Sequence, residues 1–217
     1  MEKVITMMGP MLDGVGVTLQ MFFITLLLSL PLGLILSLLR IAKYRPIRFL
    51  VETYIWLLRG TPLMLQLLFV YYALPLVPYI GFKLSDFSAA LLAFVLNYAA
   101  YFAEIFRGGI QSIERGQYEA GKVLGMTYVQ TMRRIILPQV LKRVLPPIGN
   151  ETITLVKDTS LIYVLAMNDL LRTARTIVQR EFDMAPFIIA AVFYLAMTLV
   201  LTWACNKLEQ RYAAYDE

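Results

Sequence analysis

Long charge-free stretches alternate along this chain with short segments crowded by arginine and lysine. About 20 apolar residues carry a helix across a bilayer. Residues 14–39, 60–82 and 184–206 reach that length, and 87–103 falls slightly short. Residues 144–167 are long enough but carry Glu151, Lys157 and Asp158. The pattern predicts an all-α membrane protein with five transmembrane helices, the fourth unusually polar.

Breaks in these runs are legible. In RGTP (Arg59, Gly60, Thr61, Pro62), Thr61 can cap a helix whose first residue is Pro62, with Gly60 loosening the chain before it. An interfacial piece over residues 44–58 is expected to end there, with Arg59 at the head groups, and the second span to begin. Pro75 and Pro78 should kink or stop that span, and Pro31 with Gly33 should bend the first.

Basic residues set the direction. Residues 40–59 hold Arg40, Lys43, Arg45, Arg48 and Arg59 against Glu52 alone, and residues 104–143 hold seven basic residues against three acidic ones. Lys207 and Arg211 follow the last span, while Lys3, Lys83, Arg172, Arg175 and Arg180 fall on the other side. Fourteen against five places the N-terminus outside and the C-terminus in the cytoplasm. The formal charge of +5 is thus a topology signal, and no nucleic-acid partner is expected.

Composition agrees: 59% of the 217 residues are hydrophobic and 16% charged. The chain has no histidine, which removes the commonest general base and metal ligand, so no metal site or catalytic residue is expected. Its one cysteine, Cys205, sits in an apolar run and reads as a small packed hydrophobe. The first apolar run is too long for a signal-peptide core and follows Glu2, Lys3 and Asp13.

One cytoplasmic stretch, EAGKVLGMTYVQTMRRIILPQ, is too polar to cross. Val123, Met126, Val129 and Met132 recur at helical spacing while Lys122, Arg133 and Arg134 carry charge, which predicts a single amphipathic helix. Such a helix could simply lie on lipid. Gly116, Gly121 and Gly125 fit that poorly, because each lowers helix stability by about 1 kcal/mol relative to alanine. They suit close approach of another backbone, as when a helix docks in a protein groove. GQYEAGKV also matches the opening of a phosphate-binding loop, but Val123 replaces the magnesium-binding hydroxyl and no strand precedes it.

The same stretch resembles the signature of permease subunits of binding-protein-dependent ABC importers. Glu119, Ala120, Gly125, Ile135, Leu137 and Pro138 stand at the expected spacings, with Gly121 in place of the second alanine. RGTPLMLQL, NYAAYFAEIFRGGIQSI and LVKDTSL resemble the polar amino acid uptake branch. The resemblance implies a single permease domain over residues 1–217, with the type I importer permease (MetI-like) fold. It implies a coupling segment at about 111–138, where Glu119, Ala120, Gly121, Gly125 and Met126 meet a separate ATPase subunit. ATP and magnesium would be bound by that partner, leaving this chain with no cofactor. The further partners implied are a second permease chain (like or unlike), two ATP-binding subunits, an extracytoplasmic solute-binding protein, an amino acid substrate and membrane lipid. The setting is the bacterial cytoplasmic (inner) membrane.

Ionisable groups at membrane depth normally face a cavity or a partner. Asn97, Tyr101, Glu104 and Gly108 form one polar stripe, and Glu151, Thr154 and Asp158 another, with Asn150 and Lys157 along its edge. Together they offer both charge signs to a zwitterionic solute, and Gln66 is a further pathway candidate. The alternative is that these groups only pack the bundle, with Glu104 and Arg107 at the cytoplasmic interface. Competing functions are a permease of the same build for another small solute, and an intramembrane lipid-modifying enzyme using the fourth-span carboxylates.

Overall fold

The computed structural model describes residues 2–78 and 81–213, and every regular element among them is helical. Helix α1 (Glu2–Ile41) is continuous, with Pro10 and Pro31 inside it. Helix α2 (Arg45–Gly60) is amphipathic and turns Val51 and Ile55 inward. Helix α3 (Leu63–Leu68) passes through a wide π turn (Phe69–Ala73) and a 3-10 turn (Leu74–Leu76). Then come α4 (Asp86–Gln111), α5 (Arg115–Val123), α6 (Tyr128–Thr131), a second π turn (Met132–Ile136) and α7 (Leu137–Asp158). A 3-10 segment (Thr159–Leu165) leads towards α8 (Leu170–Glu181) and α9 (Ala185–Ala213).

Helix α4 is the centre of the bundle, in contact with α1, α2, α3 and α7. Its alanines let neighbours come close, which is how helices associate where lipid offers no hydrophobic drive. A Cβ on Gly33 of α1 would lie 2.6 Å from the Phe102 Cβ, and one on Gly109 would lie 2.2 Å from a Val144 methyl of α7. The two glycines therefore set the α1–α4 and α4–α7 spacing. Phe22, Phe94, Tyr98, Phe102 and Leu155 fill the core between these helices. Gly149 does the same for α9, where Cys205 packs against it.

Three helices, α1, α4 and α9, are long and apolar enough to cross a membrane, among the described residues. The second expected span differs from expectation. Its helical part is Leu63–Leu76 and it meets α2 at 107°, a broken pair rather than one rod. The reason is local: Thr61 is extended (φ −121°, ψ 147°), as is Pro62 (φ −62°, ψ 135°). Thr61 does not cap the following helix, because its hydroxyl donates back to the Leu57 carbonyl at 2.8 Å. The fourth expected span begins seven residues earlier than the pattern suggests, since α7 starts at Leu137.

Helix α8 has no counterpart in the expected spans, although its register was visible: Leu170, Ala174 and Ile177 recur at i, i+4, i+7 and all are buried. Its start is held by Asp169, whose carboxylate accepts from the Leu171 and Arg172 N–H groups at 3.1 Å each. The backbone of Leu170 lies so close to Gly14 that a Cβ there would meet it at 2.9 Å. Burial pushes the Asp169 carboxyl up to about 6, against the opposing pull of those N–H bonds. A carboxyl raised in this way favours the fold while protonated, so its contribution is complete below about 4 and is lost as pH rises through about 6. The loss is on the order of 3 kcal/mol. Asp169→Asn keeps a capping oxygen without the charge. Melting curves from pH 4.5 to 7.5 should show the wild type falling relative to this variant, and parallel curves would refute the assignment.

Candidate functional site

The segment expected as one basic helix is an elbow of two. Helix α5 ends in a Schellman turn: the Gly125 N–H donates to the Lys122 carbonyl at 3.0 Å and the Met126 N–H to the Gly121 carbonyl at 2.9 Å. That turn needs φ = +69° at Gly125, which an L side chain rarely adopts. Helix α6 restarts at once with a capping box, in which the Thr127 hydroxyl accepts from the Gln130 N–H at 3.3 Å and the Gln130 side chain accepts from the Thr127 N–H at 2.8 Å. Two strong local signals, a left-handed glycine and a threonine cap, override the helical spacing of the apolar residues. The stripe is accordingly split. Val123 and Val129 are exposed, while Met132 packs towards Ile136 and Val140.

The elbow presents Val123, Leu124, Tyr128 and Val129, each between 70% and 86% exposed, with Glu119 and Ala120 exposed beside them. Gly121 faces inward: a Cβ there would lie 2.5 Å from the Thr131 hydroxyl and 2.7 Å from its methyl. The departure from alanine at this position thus goes with a buried threonine opposite. Gly121→Ala should lower stability by roughly 1–3 kcal/mol through overpacking. Adding Thr131→Ala should restore most of it, measured as the melting temperature of both variants; no recovery in the double variant would refute the pairing.

Between α3, α4 and α7 a cavity of about 420 Å³ is lined by Thr61, Pro62, Asn97, Tyr98, Tyr101, Glu151, Thr154 and Asp158, among others. Glu151 and Asp158 are seven residues apart on α7, nearly two whole turns, so both point one way. The Tyr98 hydroxyl donates to the Asp158 carboxylate at 2.8 Å. Lys157 is not among the lining residues and is exposed. One residue from Asp158 is about 100° around the helix, so the cavity presents one charge sign where the sequence suggested two.

Gln66 and Glu104 also lie outside the lining. Gln66 supports the chain break: its amide nitrogen donates to the Leu58 carbonyl at 2.8 Å and to the Thr61 carbonyl and hydroxyl at 3.1 and 2.9 Å. Buried Asn97 completes the clasp, donating to the Leu58 carbonyl at 3.1 Å and to the Gln66 oxygen at 3.0 Å. Glu104 is held by arginines from three helices. Arg40 pairs with one of its oxygens, and Arg107 and Arg59 reach the other at 2.8 and 3.5 Å. Arg59 also lies over the Tyr101 ring, 5.1 Å from its centroid, and so joins this cluster to the cavity wall. Neither the cluster nor the clasp was foreseen, because the contacts that close them, Asn97 to Gln66 and Arg40 to Glu104, join residues 31 and 64 apart in the chain.

Among the described residues, the helical bundle thus joins three helices long and apolar enough to cross a membrane with an ionisable cavity and an exposed elbow, the features of a membrane protein of the transport class. Residues 29–214 match the family model for the binding-protein-dependent transport system inner membrane component, and the chain belongs to that family. It is 37% identical over 206 residues to an arginine transport system permease protein of Bacillus subtilis, covering 94% of this chain and 93% of that protein. It is also 37% identical to a glutamine transport system permease protein of Escherichia coli (93% and 92% covered). Its fold is similar to that in the crystal structure of an amino acid ABC transporter with histidines, with TM-score 0.88, 34% identity and coverage of 96% and 97%. The inward-facing methionine ABC transporter, at 20% identity over 95% and 98% of the chains, shares the fold with TM-score 0.74. The chain is a permease of the polar amino acid ABC importer type with the MetI-like fold.

Proposed function

We propose that this chain is the membrane subunit of an importer that moves a polar amino acid into the cell, driven by ATP hydrolysis on a separate subunit docked at the α5–α6 elbow. The observation that carries the reading is mechanical. From Tyr128 to Leu165 the helix continues without a break through the π turn, α7 and the 3-10 segment. A push on the elbow would pass along this helix, through Pro146 and Pro147, to Glu151, Thr154 and Asp158, roughly 35–45 Å away at 1.5 Å per residue. The apolar tips of Val123, Leu124, Tyr128 and Val129 suit a groove on the motor, and Ile136, Val140 and Val144 anchor the base of the rod.

The orientation that supports this has the elbow in the cytoplasm and the N-terminus outside, as the distribution of basic residues favours. Five crossings result if the bent pair counts as one and α7 with its 3-10 extension as another. Helix α7 is too charged to face lipid alone, which fits a helix lining an aqueous path. One such chain supplies half a pathway, so a second copy or a close relative is expected beside it. A solute-binding protein would deliver the amino acid from outside. The test is reconstitution of the permease in liposomes with its ATP-binding subunits and binding protein. Uptake should require ATP and all three components; uphill uptake by the permease alone would overturn the reading.

A further inference from the structure

We propose that a basic recess between α8 and the 3-10 segment, on the outer side, receives acidic side chains of the solute-binding protein. This rests on the importer reading and its orientation given above. The recess has a volume of about 330 Å³ and is lined by Tyr163, Val164, Arg172, Arg175, Thr176 and Gln179.

The sequence concentrates charge there. Basic residues outside oppose the orientation that the cytoplasmic ones set. Of the five on that side, Arg172, Arg175 and Arg180 fall within the twelve residues of α8. Helical register then divides this helix. Leu170, Ala174 and Ile177 are buried where α8 packs on α1 and α9. Arg172, Arg175, Thr176 and Gln179 recur at i, i+3, i+4 and i+7 on the opposite face, where Tyr163 and Val164 complete the recess.

The arginines there are left unneutralised. The Arg175 guanidinium lies over the Tyr163 ring, 5.8 Å from its centroid, which fixes its direction and leaves its charge. Neither it nor the Arg172 guanidinium has an ion pair or hydrogen bond among the described residues. The acidic groups of this region are engaged. Glu181 pairs with Arg180 at 2.8 Å, and Asp183 accepts from the Ala185 N–H at 2.9 Å. Buried Asp169 accepts from two backbone N–H groups and acts on the Arg172 charge only at a distance.

Chemistry selects the occupant. The wall holds no carboxylate, so a free amino acid would bring its ammonium against two guanidinium groups. A helix on lipid needs an apolar face among the acyl chains, and that of α8 is already covered by α1 and α9. An acidic protein surface brings anions without a companion cation. The family is binding-protein-dependent, which supplies such a partner. Tyr163 and Val164 also belong to the helix that runs from the elbow past Glu151 and Asp158. A partner docked here therefore touches the outer end of the helix whose inner end is the elbow.

The test is association of the importer's own solute-binding protein, loaded with its amino acid, with the detergent-purified permease–ATPase complex. Rates are read by surface plasmon resonance at ionic strengths of about 0.1 M and about 1 M, where charges are screened over about 10 Å and about 3 Å. Arg172→Glu with Arg175→Glu should slow association at least about tenfold at the lower salt and less than about threefold at the higher. Arg172→Lys with Arg175→Lys keeps the charge and should stay within about threefold of wild type at both. The melting temperature should hold in both pairs; if charge reversal lowers it, Arg175→Gln alone, at an exposed position, should still slow association about threefold. Equal association by charge-reversed and wild-type complexes would overturn the proposal and leave the importer reading standing. So would a loss that is the same at both salts, or one that comes with a changed oligomeric state of the permease, which would assign the recess to a second copy. No association with the wild-type complex would also overturn the proposal, and absence of ATP-driven uptake as well would overturn the importer reading with it.

Discussion

Leu124→Asp should reduce ATP-driven uptake by more than tenfold while leaving the melting temperature of the permease almost unchanged. Leu124 is the C-cap of α5, is 73% exposed and belongs to none of the hydrophobic clusters of the chain. Within the protein, the substitution adds only a carboxylate near a helix C-terminus, which costs about 0.3–1 kcal/mol at an exposed site. At a docked interface it removes an apolar anchor and desolvates a charge, a loss of about 2 kcal/mol or more. Binding is thus affected far more than folding. Gly125→Trp and Glu119→Lys should uncouple as well, but Gly125 also needs its left-handed backbone, so that variant mixes strain with lost docking. Co-purification of the ATPase subunit reads the effect directly. Undiminished co-purification and uptake by Leu124→Asp would remove the elbow from the coupling mechanism.

The second large effect concerns Glu104. Its side chain is 16% exposed and is the one carboxylate shared by Arg40, Arg59 and Arg107. Glu104→Leu leaves three guanidinium groups converging on an apolar side chain; because Arg59 is 41% exposed and Arg40 keeps Glu52 at 3.9 Å, the cost should fall below the roughly 3–5 kcal/mol of a fully buried pair, on the order of 2 kcal/mol. Glu104→Gln should be milder, since its oxygen still accepts hydrogen bonds. Arg40→Met added to Glu104→Leu should recover part of the loss by reducing like-charge repulsion. The three melting temperatures should therefore rise in the order Leu, Leu with Met, wild type. A Glu104→Leu protein as stable as wild type would mean that the arginines are already neutralised by lipid or solvent.

Why these residues escaped a reading along the chain is a matter of distance. Glu104 fell on a helical stripe with Asn97 and Tyr101 and was expected beside them on the solute path. Nothing local reveals that Arg40 of α1 and Arg59 of α2 end within reach of it. Gln66 followed RGTP closely and was also expected on the path, yet its amide nitrogen donates to the Leu58 and Thr61 carbonyls and so ties the break between α2 and α3. By contrast, Glu151, Thr154 and Asp158, expected on one helix face, line one cavity, because a helix periodicity is a local property. Lys157 was set on the edge of that face, and a single residue's rotation was enough to exclude it.

Local chemistry along the chain decided the helical class, the apolar runs and the family motif, since apolar length, capping residues and fixed spacings act over a few residues at a time. The elbow's glycine and threonine were in view too, but their left-handed turn and cap prevailed over a periodicity that pointed to one helix. Packing between distant helices decided the rest: which carboxylates share a cavity, which one is surrounded by arginines, and which lysine faces away. Those outcomes depend on where α1, α2, α4 and α7 meet, and small residues such as Gly33 and Gly109 set that separation only once their partners are in place.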